Sequence, residues 1–109
     1  MSVTILNEIR DELITCGAVR GETEFCVGWL GRGAGYMRTL RFVNQTPSAV
    51  ALATLASKLG HYGERLGRGD EAQRAWAKRF ERMQARCQTV LEQQARERWE
   101  TQERMSYGA

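Results

Sequence analysis

The sequence is poor in the residues that build covalent or metal-based frameworks. It has three cysteines, one histidine and one proline in 109 residues. Cys16, Cys26 and Cys87 are odd in number and widely spaced, which is typical of reduced thiols rather than of a disulfide framework. None of them forms a Cys-x-x-Cys pair, and His61 cannot complete a zinc site alone. The sequence therefore implies no metal and no cofactor.

Long apolar runs are also missing. The longest mainly apolar stretch, residues 48–56, is too short to cross a bilayer, and no basic region precedes an apolar segment at the N-terminus. We therefore expect no membrane span, no signal peptide and a cytoplasmic location. Hydrophobic residues make up 42% and charged residues 27% of the chain, which is the composition of a folded domain.

Patterns typical of catalysis are incomplete. A nucleophilic cysteine would need His61 beside it, and no spacing places one there. Glu8, Asp11 and Glu12 fall on an exposed helical face, where solvation explains them. The run Gly31-x-Gly-x-Gly lacks the preceding strand and the later glycine of a dinucleotide-binding loop. The sequence predicts a protein that is not an enzyme, and no small-molecule substrate is indicated.

Helix-forming residues are abundant, and apolar positions recur at helical spacing. Ile5, Ile9 and Leu13 repeat every four residues, which predicts a first helix from about residues 2–4 to Cys16, ended by Gly17. No segment has the alternation of a strand. The predicted fold class is therefore all-α, with a compact unit of four to five short helices followed by one long C-terminal helix.

Capping residues predict where the next helices begin. Thr23 is placed to cap a second helix that ends at Gly31, and Gly33 is placed to begin a third. Thr46 followed by Pro47 is the clearest helix start, because proline at the first helical position loses no hydrogen bond. These starts and stops divide the middle of the chain into three short helices.

The stretch from residue 23 to residue 59 has the spacing of a helix-turn-helix unit. Such a unit needs an apolar face on its first helix, a small residue at the turn, and two buried positions three apart on its second helix. The corresponding residues here are Cys26, Val27 and Leu30 for the face, Gly31 for the turn, and Met37 and Leu40 for the buried pair.

This stretch also resembles the lambda-repressor-like (XRE-type) helix-turn-helix domains. Those combine a Leu-Gly turn with a downstream helix of the form Pro-x-x-x-x-Leu-x-x-Leu-Ala-x-x-Leu-Gly. The matching residues are Leu30-Gly31, then Pro47, Leu52, Leu55-Ala56 and Leu59-Gly60. The resemblance extends over roughly residues 5–60. It implies a small double-stranded DNA-binding protein, a transcriptional regulator of a bacterial, phage or plasmid type.

Several positions depart from the family pattern. Thr23 stands where a phosphate-binding glutamine is frequent, Val27 where alanine is usual, and Arg32 where an apolar residue is usual. Residues 33–35, at the groove-facing start of the third helix, have almost no side-chain hydrogen-bonding capacity, so base readout would rest mainly on arginines. The candidate DNA-binding residues are Arg32, Gly33, Ala34, Gly35, Arg38, Thr39 and Arg41.

Positive charge gathers in the middle of the chain. The net charge is +3 and the pI about 9.0. Between residues 25 and 68 six basic residues stand against one acid, Glu64. Such a concentration favours contact with a phosphate backbone, although an ordinary solvated face explains it as well. Beyond the three arginines already named, the basic residues are Lys58, Arg65 and Arg68, which are the candidate phosphate-backbone contacts.

A long final helix is predicted from about Glu71 to beyond Arg98, with Asp70 as its cap. Its apolar residues have heptad spacing and leave two arrangements open: the helix folds back over the chain's own core, or it pairs with a second copy as a coiled coil. We predict the second, because the shorter helices already fill a core. Residues 68–109 are then a dimerisation element after a DNA-binding domain at residues 1–67. The predicted homodimer contacts are Trp76, Phe80, Met83, Cys87, Val90, Leu91 and Trp99.

The main alternative function is a protein–protein interaction module that has kept the scaffold and no longer reads DNA. Its best support is the weak hydrogen-bonding capacity of residues 33–35. The aromatic residues Trp29, Tyr36 and Phe42 are expected in the core or an interface rather than stacked on bases, because duplex recognition needs no stacking platform.

Overall fold

The chain is a bundle of helices. The computed structural model describes residues 2–107, with side-chain burial for residues 3–104. Over that range it has no strand and five helices: α1 (Ser2–Thr15), α2 (Glu22–Gly28), α3 (Tyr36–Val43), α4 (Ala49–Leu66) and α5 (Glu71–Tyr107). The predicted all-α class with a long final helix is confirmed. A search of the described helices finds none with the combined length and apolarity that a bilayer crossing needs.

The last two helices form an antiparallel hairpin. Near the connection the two helices approach closely. A Cβ added at Gly63 would lie only 3.2 Å from the Cβ of Phe80. At the far end the Gln94 side-chain amide donates a hydrogen bond of 2.9 Å to the backbone carbonyl of Pro47. Helix α5 therefore runs back along the whole length of α4.

Helix α5 also lies along α1. The Arg79 guanidinium binds the Glu12 carboxylate at 2.9 Å, and Arg86 forms an ion pair with Glu8 two turns further on. The residue numbers of these partners decrease along α1 as they increase along α5, so the two helices are antiparallel as well. The final helix thus occupies a groove between α1 and α4.

A single hydrophobic core joins all five helices. Phe80, Met83 and Cys87 of α5 are at most 3% exposed and belong to the same cluster as the buried residues of α1 to α4. Burial raises the pKa of the Cys87 thiol to about 11, which keeps it protonated. The helices on both sides of the predicted boundary near residue 67 therefore contribute to one continuous core. The fully buried side chains of the other helices include Leu6, Ile9, Leu13, Phe25, Leu30, Met37, Leu52, Leu55 and Leu59.

This packing bears on the residues predicted to contact a second copy. Phe80, Met83 and Cys87 contact the chain's own core, because α1 and α4 leave an apolar groove that these side chains fill. Of the predicted contacts, Trp76, Val90 and Leu91 are half-buried against that core, and Trp99 is 46% exposed. Most of the predicted dimerisation residues therefore contact the chain's own core, as expected for a helix that folds back on it.

The cap of α2 differs from the sequence prediction, whereas that of α5 agrees with it. Helix α2 begins at Glu22 with Gly21 in an extended conformation before it, so Thr23 lies inside the helix and caps nothing. Asp70 does cap α5 as predicted: its carboxylate accepts the backbone N–H of Gln73, and its own N–H donates to the Gln73 side chain, each at 2.9 Å. This reciprocal pair is a capping box.

Helix α4 begins two residues later than the prediction from Thr46 and Pro47. The cap is Ser48, whose hydroxyl accepts the Ala51 backbone N–H at 3.2 Å. The Ser48 backbone N–H in turn donates to the Tyr36 hydroxyl at 2.9 Å. Because this partner lies on α3, the local sequence alone did not distinguish Ser48 from Thr46.

Candidate nucleic-acid interface

The turn between α2 and α3 has the glycine that a helix-turn-helix requires. Gly31 has a φ of +65°, a left-handed conformation that favours glycine. The Arg32 backbone N–H donates to the Cys26 carbonyl at 2.9 Å across this residue, so the chain after Gly31 turns back onto the end of α2. The turn leads α3 back so that Met37 and Leu40 are buried. The predicted turn residue and buried pair are therefore confirmed, whereas Val27, predicted on the apolar face with Cys26 and Leu30, is 54% exposed.

The third helix begins later than predicted. It starts at Tyr36 rather than at Gly33, with Gly35 as the preceding residue. An interior glycine costs about 1 kcal/mol relative to alanine, so a segment with glycine at 31, 33 and 35 does not extend the helix backwards. Residues 33–35 lie in the turn ahead of the helix, where Gly33 and Ala34 are exposed.

Arg41 is held by a carboxylate on α2. Its two terminal nitrogens donate to the two carboxylate oxygens of Glu22 at 3.0 and 2.9 Å. Glu22 also accepts a hydrogen bond of 2.6 Å from Arg10 of α1. The hydrogen bond from Arg41 holds the pKa of Glu22 below its ordinary value and raises that of Arg41. This cluster joins α1, α2 and α3. It also engages the guanidinium of Arg41, one of the predicted DNA-binding residues, in an ion pair.

Folding should depend on pH through Glu22. The pKa of Glu22 is lower in the folded chain than its ordinary value of 4.5. Its stabilising contribution is therefore fully present above pH 4.5 and is lost as the pH falls through the pKa of the folded state. We expect the stability difference between the wild type and Glu22→Gln to be largest at about pH 6 and to shrink towards about pH 3. Urea unfolding at a series of pH values measures this difference.

The matched control for that series is Glu24→Gln, since Glu24 is an exposed residue of the same helix. The control should differ little from the wild type at every pH. A stability difference for Glu22→Gln that stayed constant down to about pH 3 would contradict the role given to its ionised carboxylate.

Arg32 and Arg38 occupy the surface around the first turn of α3. The Arg32 guanidinium lies 5.0 Å from the centre of the Tyr36 ring, within range of a cation–π contact. The Arg38 guanidinium folds over Gly35, where an added Cβ would come within 3.1 Å of it. Both arginines are exposed, and neither forms an ion pair with any residue the structure describes. They are the two predicted DNA-binding arginines that remain available.

The outer face of α3 carries an exposed aromatic residue. Phe42 is 90% exposed, so of the two places expected for it, the core and an interface, the core is excluded, whereas Trp29 is buried and Tyr36 half-buried. The signal was present: at about 100° per residue, Phe42 lies roughly 140° from Met37 on the helical wheel. The predicted contact Thr39 is also exposed on this helix.

The three predicted phosphate-backbone contacts, two on α4 and one just after its end, differ in their surroundings. The Lys58 ammonium donates a hydrogen bond of 2.6 Å to the carbonyl of Gly28 at the end of α2. Arg68 forms an exposed ion pair with Glu64 at 2.7 Å. Arg65 is exposed two helical turns beyond Lys58, about 10 Å further along the axis. The structure therefore gives Lys58 an internal partner close to the turn and leaves Arg65 at the far end of α4.

Comparison with known proteins gives a family without an activity. Residues 6–100 match a family of unknown function (DUF6626), and the chain belongs to this family. No curated protein and no solved structure matches the chain.

Proposed function

We propose that this chain binds double-stranded DNA, with the Gly31–Gly35 turn and the first turn of α3 against the major groove. The observation that carries the proposal is the pair Arg32 and Arg38. Both are exposed at one end of a helix-turn-helix, and neither is neutralised by a described carboxylate. Arginine is the residue most often used to bind guanine edges and phosphates, because its planar fork donates two parallel hydrogen bonds.

The small residues of the turn support a close approach to DNA. Gly33 and Ala34 are exposed and present little side-chain bulk, so the turn leaves room for the two arginines to reach the groove. Thr39 offers a hydroxyl on the same helix, and Phe42 offers an apolar surface of the kind that contacts a thymine methyl group. Arg41 acts as a positioning residue, because its pair with Glu22 holds α3 against α2.

A regulatory role follows if two copies bind together. Two recognition helices about one DNA turn apart read a palindromic operator, which requires a dimer. The part of α5 beyond the core is the surface we propose for a second copy, because Trp99 is exposed there. Such a protein would act in the cytoplasm as a small transcriptional regulator.

The competing function is a protein–protein interaction module. It is favoured by the apolar side chains that the scaffold exposes: Phe42 at the end of α3 and Val50 at the start of α4. Exposed aromatic residues such as Phe42 are enriched in protein interfaces.

A salt series on a labelled duplex of mixed sequence tests the proposal. The logarithm of the affinity should fall linearly with the logarithm of the salt concentration, because bound phosphates release counterions. The double variant Arg32→Ala with Arg38→Ala should bind at least about tenfold more weakly, with a slope reduced by about 2 if both arginines contact phosphate.

The matched control carries the same charge change elsewhere: Arg82→Ala with Arg98→Ala, two exposed positions of α5. It should stay within about twofold of the wild type if the interface is at α3. Affinity that does not depend on salt, or equal losses in the two double variants, would overturn the proposed interface. Weak binding that neither double variant changes would favour the interaction module.

A further inference from the structure

A cleft lies between the end of α2, the second half of α4 and the beginning of α5. Its volume is about 610 Å³. Pockets that hold small molecules range from about 300 to 1,000 Å³ and are mainly apolar with a few polar groups. The lining has this character, and its principal side chains are Trp29, Lys58, Tyr62, Leu66, Trp76 and Phe80.

The walls of the cleft are aromatic. The Trp29 ring lies 5.7 Å from the Tyr62 ring and 6.3 Å from the Phe80 ring, measured between centres. Tyr62 is 38% exposed and Trp76 is half-buried, so both present ring surface to the cleft. Offset and edge-on contacts with such rings stabilise a planar aromatic molecule more than an aliphatic one of equal size.

Lys58 favours a negatively charged group in the cleft over a positively charged one. Its ammonium lies 4.6 Å from the centre of the Trp29 ring and 5.9 Å from that of Tyr62. The aromatic faces that would attract a cationic ligand are therefore already occupied by a cation of the chain itself. An ammonium has three donors, and the structure shows one of them used, toward the Gly28 carbonyl at 2.6 Å.

The remaining charge at the cleft is Glu24, an exposed carboxylate on α2. Water screens an exposed charge strongly, so it opposes an anion less than the half-buried Lys58 attracts one. The net preference of the cleft is therefore for a molecule with an aromatic body and one negative group.

We propose that this cleft binds a planar aromatic carboxylate. The ring system would lie among Trp29, Tyr62 and Trp76, and the carboxylate would accept hydrogen bonds from the free donors of Lys58. This site is separate from the arginines proposed to bind DNA, and its existence does not depend on DNA binding.

Three probes share a naphthalene ring and differ in the charge of its substituent. They are naphthalene-2-carboxylate, the neutral naphthalene-2-carboxamide and the cationic 2-naphthylmethylammonium. We expect the full chain to bind the carboxylate at least about tenfold more tightly than either of the others, as measured by calorimetry without DNA. Equal affinities, a preference for the cation, or no binding of any probe would overturn the proposal.

Two lysines in the chain allow a matched test of the charge. Lys58→Gln should reduce carboxylate affinity to that of the carboxamide, whereas Lys78→Gln, an exposed change on α5, should leave it unaltered. Equal effects of the two changes would contradict the assigned contact.

A second variant is needed because Lys58→Gln also removes a hydrogen bond at the end of α2. Ala72 is exposed in the first turn of α5 and lines the cleft, so Ala72→Trp fills the space without disturbing the core. It should abolish binding of the carboxylate while the thermal unfolding midpoint stays close to that of the wild type. Unchanged binding in this variant would place the ligand elsewhere. Since no duplex is present, these results are independent of the outcome for DNA.

Discussion

A chain that ends after residue 67 is expected not to fold. It would lack α5, and with it Phe80, Met83 and Cys87, which complete the core between α1 and α4. The apolar face of α4, including Leu55 and Leu59, would then be exposed to water. Burial of one such side chain contributes about 1.5–3 kcal/mol, and a small domain has only about 5–15 kcal/mol in total. We expect little helical circular dichroism and no cooperative thermal transition.

The control for this truncation is a chain that ends after Arg98. It keeps α5 past Gln94, the last residue seen to hydrogen-bond to the connection before α4, and loses the exposed Trp99. Its unfolding midpoint should lie within a few degrees of that of the full chain. A cooperative transition in the shorter fragment would contradict the shared core and restore an independent domain at residues 1–67.

Phe80→Ala is expected to lower the free energy of unfolding by about 3–5 kcal/mol, the range for truncating a buried aromatic side chain. Phe80 is 3% exposed, packs edge-on against Trp29 and lies against Gly63 of α4. Because these contacts lie within one chain, the loss should be the same at two protein concentrations. Urea unfolding at each concentration measures it.

The distal end of α5 gives the control. At a protein concentration low enough to keep the chain monomeric, Trp99→Ala removes a half-exposed side chain and should change the unfolding free energy by no more than about 0.5 kcal/mol. A midpoint that rises with protein concentration, together with an equal loss in both variants, would show that α5 stabilises the fold by pairing between copies.

The sequence predicted the helices more reliably than their surroundings. Spacing located all five, because an amphipathic stripe is a property of the helix alone. It did not settle the partner of α5: a stripe of Phe80, Met83 and Cys87 fits a groove in its own chain as well as a second copy. The choice depends on whether α1 and α4 leave such a groove, which requires Gly63 to sit opposite Phe80.

The candidate site was predictable in its buried half. Gly31, Met37 and Leu40 have a fixed spacing, so a local pattern identifies them. The role of Arg41 cannot be identified in this way, because the carboxylate that pairs with it belongs to Glu22, 19 residues away. Such pairs form between surfaces that only the folded chain brings together, and no local pattern encodes them.

The shortness of α2 and α3 limits what these two helices can do alone. They have seven and eight residues, and isolated helices below about 12–15 residues are barely populated in water. Each therefore keeps its helical form only while docked, through its buried side chains in the shared core and through the polar contacts of Lys58 with Gly28 and of the Glu22 cluster. A change that undocks either helix from the α4–α5 hairpin is therefore expected to unfold that helix as well as to displace the residues it carries.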